Sequence, residues 1–146
     1  MVLIYETEHF ILKSHDHPEV DRLDGGHLVI DPKITVKDRT ELSPALAVEL
    51  MRFTIIAGRA LTKGMKESWV EIWRINYQDN GNWKPELHIH LYGRAINAKW
   101  QKFGDPIIPW HREEYQSLTE NDIMAIHQAC EEFFCSEEFN DIHWKI

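Results

Sequence analysis

Long apolar runs are missing from this chain of 146 residues. No stretch approaches the roughly 18 consecutive apolar residues of a membrane-crossing helix, and Met1 to Glu6 lacks the basic start and apolar core of a secretory leader. A cytoplasmic chain is therefore expected. Cysteine is scarce as well. Cys130 and Cys135 are the only two, they show neither CxxC spacing nor a secreted framework, and free thiols in a reducing compartment follow. Positive charge is in short supply, with 16 Lys and Arg against 24 Asp and Glu, a formal net charge of −8. That balance argues against broad binding to nucleic-acid backbones, which depends on clustered cations. A single nucleotide in a pocket needs only a few local donors and stays open. Internal repeats, low-complexity tracts and linkers are absent too, so one domain over residues 1–146 is expected, burying roughly two-thirds of its unfolded surface.

What is present reads as an alternation of strands and helices. Leu3 to Glu6 and Phe10 to Lys13 predict an N-terminal hairpin, and the polar stretch Ser14 to Gly26, with Pro18 and Gly25-Gly26, predicts a loop leading into a strand at His27 to Ile30. Asp31-Pro32 should end that strand. Ser43-Pro44 predicts a helix start, because serine can accept from free amides and proline has no donor to leave unpaired in the first turn. Leu46, Leu50, Phe53, Ala57 and Leu61 then recur at spacings of three and four, and Gly64 is expected to stop the helix in the left-handed conformation. Val70 to Ile75 alternates, placing Val70, Ile72 and Arg74 on one side of a strand. Asp79-Asn80-Gly81-Asn82 predicts a turn into a second alternating strand at Leu87 to Tyr92, the two forming an antiparallel hairpin. After Arg94 the chain is irregular and aromatic, and this long connection reads as a lid or clamp. Thr119 and Asp122 then predict a capping-box start for a helix to about Phe134.

The chemistry gathers in Pro85-Glu86-Leu87-His88-Ile89-His90. Residues two apart on a strand share a face, so Glu86, His88 and His90 form a titratable row while Leu87, Ile89 and Leu91 point the other way. A solvated row on a half-exposed strand is the plain structural alternative. Two chemistries suit the row: a metal site, since imidazole and carboxylate ligate zinc, iron or manganese, or attack of a neutral imidazole on phosphorus to form a phosphoramidate. Local spacing does not choose between them. A cupin-type metal site would need a glutamate where Arg94 and Ala95 stand, so the metal reading loses ground. Paired His-x-Ser/Thr motifs of a phosphoesterase are absent, because His27 is followed by Leu28-Val29 and His88 by Ile89-His90.

The segment Gly81-Asn82-Trp83-Lys84-Pro85-Glu86-Leu87-His88-Ile89-His90-Leu91-Tyr92-Gly93-Arg94 resembles the signature of the histidine triad (HIT) family: Gly-Gln, a short variable stretch, three alternating histidines and a terminal Pro-Arg. Upstream, Gly26-His27-Leu28-Val29-Ile30-Asp31-Pro32-Lys33 is similar to the family strand that carries a fourth histidine, and the Ser43 helix lies where the family's long helix does. The likeness covers about residues 3–97 and leaves residues 98–146, the C-terminal helix and tail, undiagnosed. With Arg94 at the terminal arginine position, His90 is the third triad residue, His88 the middle one, and Glu86 replaces the first histidine. The alternative register, with Tyr92 third, misplaces Gly81-Asn82 and leaves Ala95-Ile96 at the Pro-Arg positions.

The resemblance implies an α+β, HIT-like fold of about five antiparallel strands with two packed helices. It implies hydrolysis or nucleotidyl transfer at an α-phosphate, with His88 as the nucleophile forming a nucleotidyl-histidine, His90 assisting at the phosphate and His27 in support. Glu86 would accept a hydrogen bond from an imidazole, favouring its charged form, and would also repel an anionic phosphate. Asn76 and Asn82 are the candidate substrate-binding residues. No tightly bound cofactor or metal is expected, although Mg2+ can accompany a polyphosphate substrate, and a homodimer is expected by analogy. The alternatives are a non-catalytic nucleotide-binding module and, behind it, a metal-dependent enzyme using Glu86, His88 and His90. Trp83 and Trp100 fit packing better than base stacking, and His9, His15, His17, His111, His127 and His143 are assigned to surface or structure.

Overall fold

The computed structural model describes residues 1–108 and 110–145. Five antiparallel strands, β1 (Leu3–Glu6), β2 (Phe10–Ser14), β3 (His27–Pro32), β4 (Ile72–Gln78) and β5 (Ile89–Ala95), form one sheet in the order β1-β2-β3-β5-β4. Two helices, α1 (Pro44–Met65) and α2 (Glu120–Phe134), join the sheet's core, as the α+β expectation required. Alternation divides the sheet cleanly. Phe10, Leu12, Leu28, Ile30, Ile89 and Leu91 are fully buried with Phe53, Ile56 and Leu61 of α1 and Ile126 of α2. The intervening residues His27, His90, Tyr92 and Arg94 belong to the opposite face. Among the described residues no helix is long and apolar enough to cross a membrane.

Both helix starts follow the local chemistry. The Leu46 amide donates to the Ser43 hydroxyl (3.3 Å), and Thr119 and Asp122 form a reciprocal capping box. The end of α1 differs from expectation. The helix passes through Gly64 and gives way to a short 3-10 turn, and the left-handed residue is Trp69, at φ 60°. Gly64 serves packing instead: a Cβ there would lie 2.8 Å from Ile126 Cγ1 and 2.9 Å from the Ile126 amide, so its absence lets α2 approach α1.

The edge strand β4 also departs from simple alternation. It begins at Ile72, and a register irregularity between Ile72 and Arg74 turns Ile75 and Tyr77 toward Gly58 of α1. Arg74, Asn76 and Gln78 consequently pair with Arg94, Tyr92 and His90 on the opposite face. The hairpin of β4 and β5 forms as expected, but β5 starts at Ile89, so Glu86 and His88 precede it.

The long connection after β5 is fixed to that opposite face. The buried Asp24 carboxylate accepts the backbone amides of Lys99, Trp100 and Gln101 (2.6 to 2.8 Å), and the buried Gln101 carboxamide donates to the Glu19 and Ile108 carbonyls. Arg94 donates to the carbonyls of Lys102 and Asp105. Cys130 is buried, where burial pushes its thiol up to about 12, and Cys135 is exposed and free.

Candidate functional site

His88 and His90 line a cavity of about 520 Å³ formed by the β4–β5 connection, the loop before β3 and Arg112 of the C-terminal connection. His88 Nδ1 lies 2.7 Å from the Glu86 carbonyl oxygen. A carbonyl can only accept, so Nδ1 carries the proton, and in the neutral ring the lone pair belongs to Nε2. The imidazole rings of His88 and His90 meet edge to face, with centroids 4.9 Å apart.

A second chain of hydrogen bonds fixes the other two rings. The Glu19 amide donates to His27 Nδ1 (3.2 Å), which makes that nitrogen an acceptor and puts the ring proton on Nε2. His27 Nε2 lies 2.8 Å from His90 Nδ1, so His27 donates and His90 accepts. The remaining nitrogen of His90, Nε2, therefore carries a proton on a ring that lines the cavity. Neutral rings are what this chain needs. Burial, then the neighbouring imidazoles, lowers both basicities: His27, 1 % exposed, falls well below the usual histidine range, and His90 falls to about 4.

The expected residues do not all meet. His27, His88, His90 and Asn82 gather at this cavity, His27 from behind His90. Glu86 contributes its backbone carbonyl, whereas its carboxylate reaches toward Lys84 (3.3 Å) and lines a separate, smaller hollow with Asp31 and Lys33. The Asn76 carboxamide oxygen accepts from Arg94 (2.8 Å) and faces a neighbouring cavity of about 690 Å³ walled by Phe103 and Pro106. Among the described residues, the group whose ligand atoms lie within 4.8 Å of one another is the exposed His111, Glu113 and Glu114 rather than Glu86, His88 and His90. His111 packs beside the Trp100 ring, at 4.9 Å between centroids.

Four neighbours were outside the sequence reading of the site. His15 stacks on His27 at 4.6 Å and 11°. Tyr92 stacks on His90, and its hydroxyl donates to the Glu19 carboxylate (2.5 Å). Burial and that bond push the phenol's ionisation well above its ordinary range. Arg112 donates from Nε to the His17 carbonyl (2.9 Å), and its Nη1 lies 3.7 Å from Glu19. Arg112 is 95 positions from His17, a separation that no local pattern reports.

The HIT domain family matches residues 1–96. Solved structures share the fold. A histidine triad protein from Bradyrhizobium japonicum is 16 % identical, with 90 % of this chain and 88 % of that one covered at a TM-score of 0.66. One from Sinorhizobium meliloti is 19 % identical, with 90 % and 87 % covered at 0.66. A hypothetical histidine triad nucleotide-binding protein from Sulfolobus tokodaii is 16 % identical, with 90 % and 85 % covered at 0.60. No curated protein matches. With the family match spanning both histidine-bearing strands and the long helix, the chain belongs to the HIT family.

Proposed function

We propose that the chain transfers or hydrolyses the nucleotidyl group of a nucleotide derivative through a covalent intermediate on His88. The observation that carries this reading is the bond from His88 Nδ1 to the Glu86 carbonyl, which leaves Nε2 as the nucleophilic atom of a ring on the cavity wall. It also bears on the missing first histidine, because a backbone carbonyl fixes the ring whatever side chain residue 86 has.

In the first step the Nε2 lone pair attacks the α-phosphorus. The bond from phosphorus to the leaving group breaks, and its electron pair goes with the leaving group. The N–H of His90 donates to a non-bridging oxygen as charge grows there, a contact worth most in a site that excludes water. In the second step water or another acceptor attacks phosphorus, the P–N electron pair returns to Nε2, and the acceptor's proton is released. Asn82 is assigned to contact the substrate; Asn76, held by Arg94, is assigned to shape the neighbouring cavity. The exposed β4 edge, with Trp73 63 % and Tyr77 45 % exposed, is the surface on which a homodimer would extend the sheet.

Intact-mass spectrometry tests the intermediate. After brief incubation with an adenosine phosphoramidate or a dinucleoside polyphosphate, the protein should gain the mass of one nucleotidyl group, and a His88→Asn variant should gain none. Turnover retained by that variant would refute the assignment.

A further inference from the structure

Arg112 comes from the C-terminal part of the chain, beyond the 96 residues that the family match covers, yet its side chain lines the histidine cavity. Its guanidinium is aimed. Nε and Nη2 both donate to one carbonyl, that of His17, which turns the third nitrogen, Nη1, toward the Glu19 carboxylate in the same cavity. That carboxylate does not consume it. Glu19 is 3.7 Å from Nη1, beyond hydrogen-bond distance, and its other oxygen accepts the Tyr92 hydroxyl. Among the described residues no acceptor lies within hydrogen-bond reach of Nη1, and a part-exposed ion pair at this distance contributes little. A second cation, Lys84, lines the same cavity from the β4–β5 connection, with the exposed Glu86 carboxylate 3.3 Å from its ammonium.

We propose that Arg112, with Lys84, binds the phosphates beyond the scissile one, so that the substrate class is a nucleoside polyphosphate rather than a nucleotide with an amine leaving group. This rests on the nucleotide reading of the cavity. Neutral imidazoles supply a nucleophile and one N–H donor, enough for the oxygens of a single phosphate but not for the charge of a chain of them. Two cations on separate segments match that charge, and arginine presents paired donors that suit phosphate oxygens. They also offset the negative charge that the leaving phosphate takes with its electron pair, so it departs without first taking a proton. A departing amine needs a proton, which the Arg112 guanidinium does not give up. In a chain of net charge −8 these local cations decide whether a polyanion enters at all.

Isothermal titration of adenosine 5′-monophosphate and adenosine 5′-triphosphate, in the His88→Asn background so that neither is consumed, measures the claim. Triphosphate should bind more tightly than monophosphate. Arg112→Ala should weaken triphosphate binding roughly 10- to 100-fold, the loss of a charge-assisted contact, and change monophosphate binding less than about 3-fold. Arg112→Lys should recover part of the loss. Equal weakening for both ligands would make Arg112 a brace for the loop at His17 and overturn the inference, as would an unchanged triphosphate affinity or no binding of either. The outcomes separate from those of the mass experiment. An adduct on His88 without an Arg112 effect removes this inference alone, and an Arg112 effect without an adduct removes the covalent reading alone.

Discussion

Acidification should unlock the histidine chain, and its size can be worked from His90. The ring titrates near 6.5 in an unfolded chain and at about 4 in the folded one. Between those values the unfolded chain binds more protons, so stability is fully present above about pH 6.5 and falls as pH drops toward 4. From pH 7 to pH 5 the linkage relation gives a loss of about 2 kcal/mol, and allowing for screening of a ring that is only part-buried leaves about 1 kcal/mol. His27 adds a loss of the same sign, because it is buried in the neutral form as well. The structural reason is specific: a proton on His90 Nδ1 would face the N–H of His27, turning a 2.8 Å hydrogen bond into a donor-donor clash. Urea unfolding at pH 7 and pH 5 measures the difference. In His90→Asn the carboxamide oxygen can accept from His27 without titrating, so the fall between the two pH values should shrink by about 1 kcal/mol. Identical falls in the wild type and the variant would refute the neutral chain of imidazoles.

Three further substitutions probe the backbone around the site. Gly93→Ala would place a Cβ 2.2 Å from the Gly25 carbonyl oxygen, where β5 passes the turn before β3; the overpacking should cost about 3 kcal/mol and lower the melting temperature by roughly 10 °C. Gly104→Ala, with φ +91° and nothing within 4 Å, should cost only about 1 kcal/mol of backbone strain, and the reverse ranking in thermal melts would refute the close-approach argument. Asp24→Ala strips the acceptor from the amides of Lys99, Trp100 and Gln101 and should cost about 3 kcal/mol, with faster hydrogen exchange at those amides. Unchanged exchange there would show that the connection holds without the carboxylate.

Features whose chemistry is local were legible in the amino-acid sequence. Ser43-Pro44 and the pair Thr119 and Asp122 announce helix starts because a cap is made by residues within one turn of each other. The alternation of Leu87, Ile89 and Leu91 assigns a buried side because strand geometry has period two. The motif around His88 and His90, with His27 on a second strand, pointed to the family and to residues that the fold does bring together. The remaining features depend on segments distant in the chain. The register irregularity in β4 and the helical Gly64 answer to α1 and α2, so neither the strand's faces nor the glycine's purpose could be read from their neighbours. Glu86 looked like a carboxylate in the row, but His88 uses its carbonyl, because the chain has not yet entered β5 at that point. For Asn76, expected as a substrate contact, the bond that Arg94 makes to it across the strand pair was not legible in the sequence. His15, Glu19 and Arg112 enter the site only when two loops fold over the sheet. Composition and spacing carry no trace of such contacts, which arise from chain path rather than from local conformation.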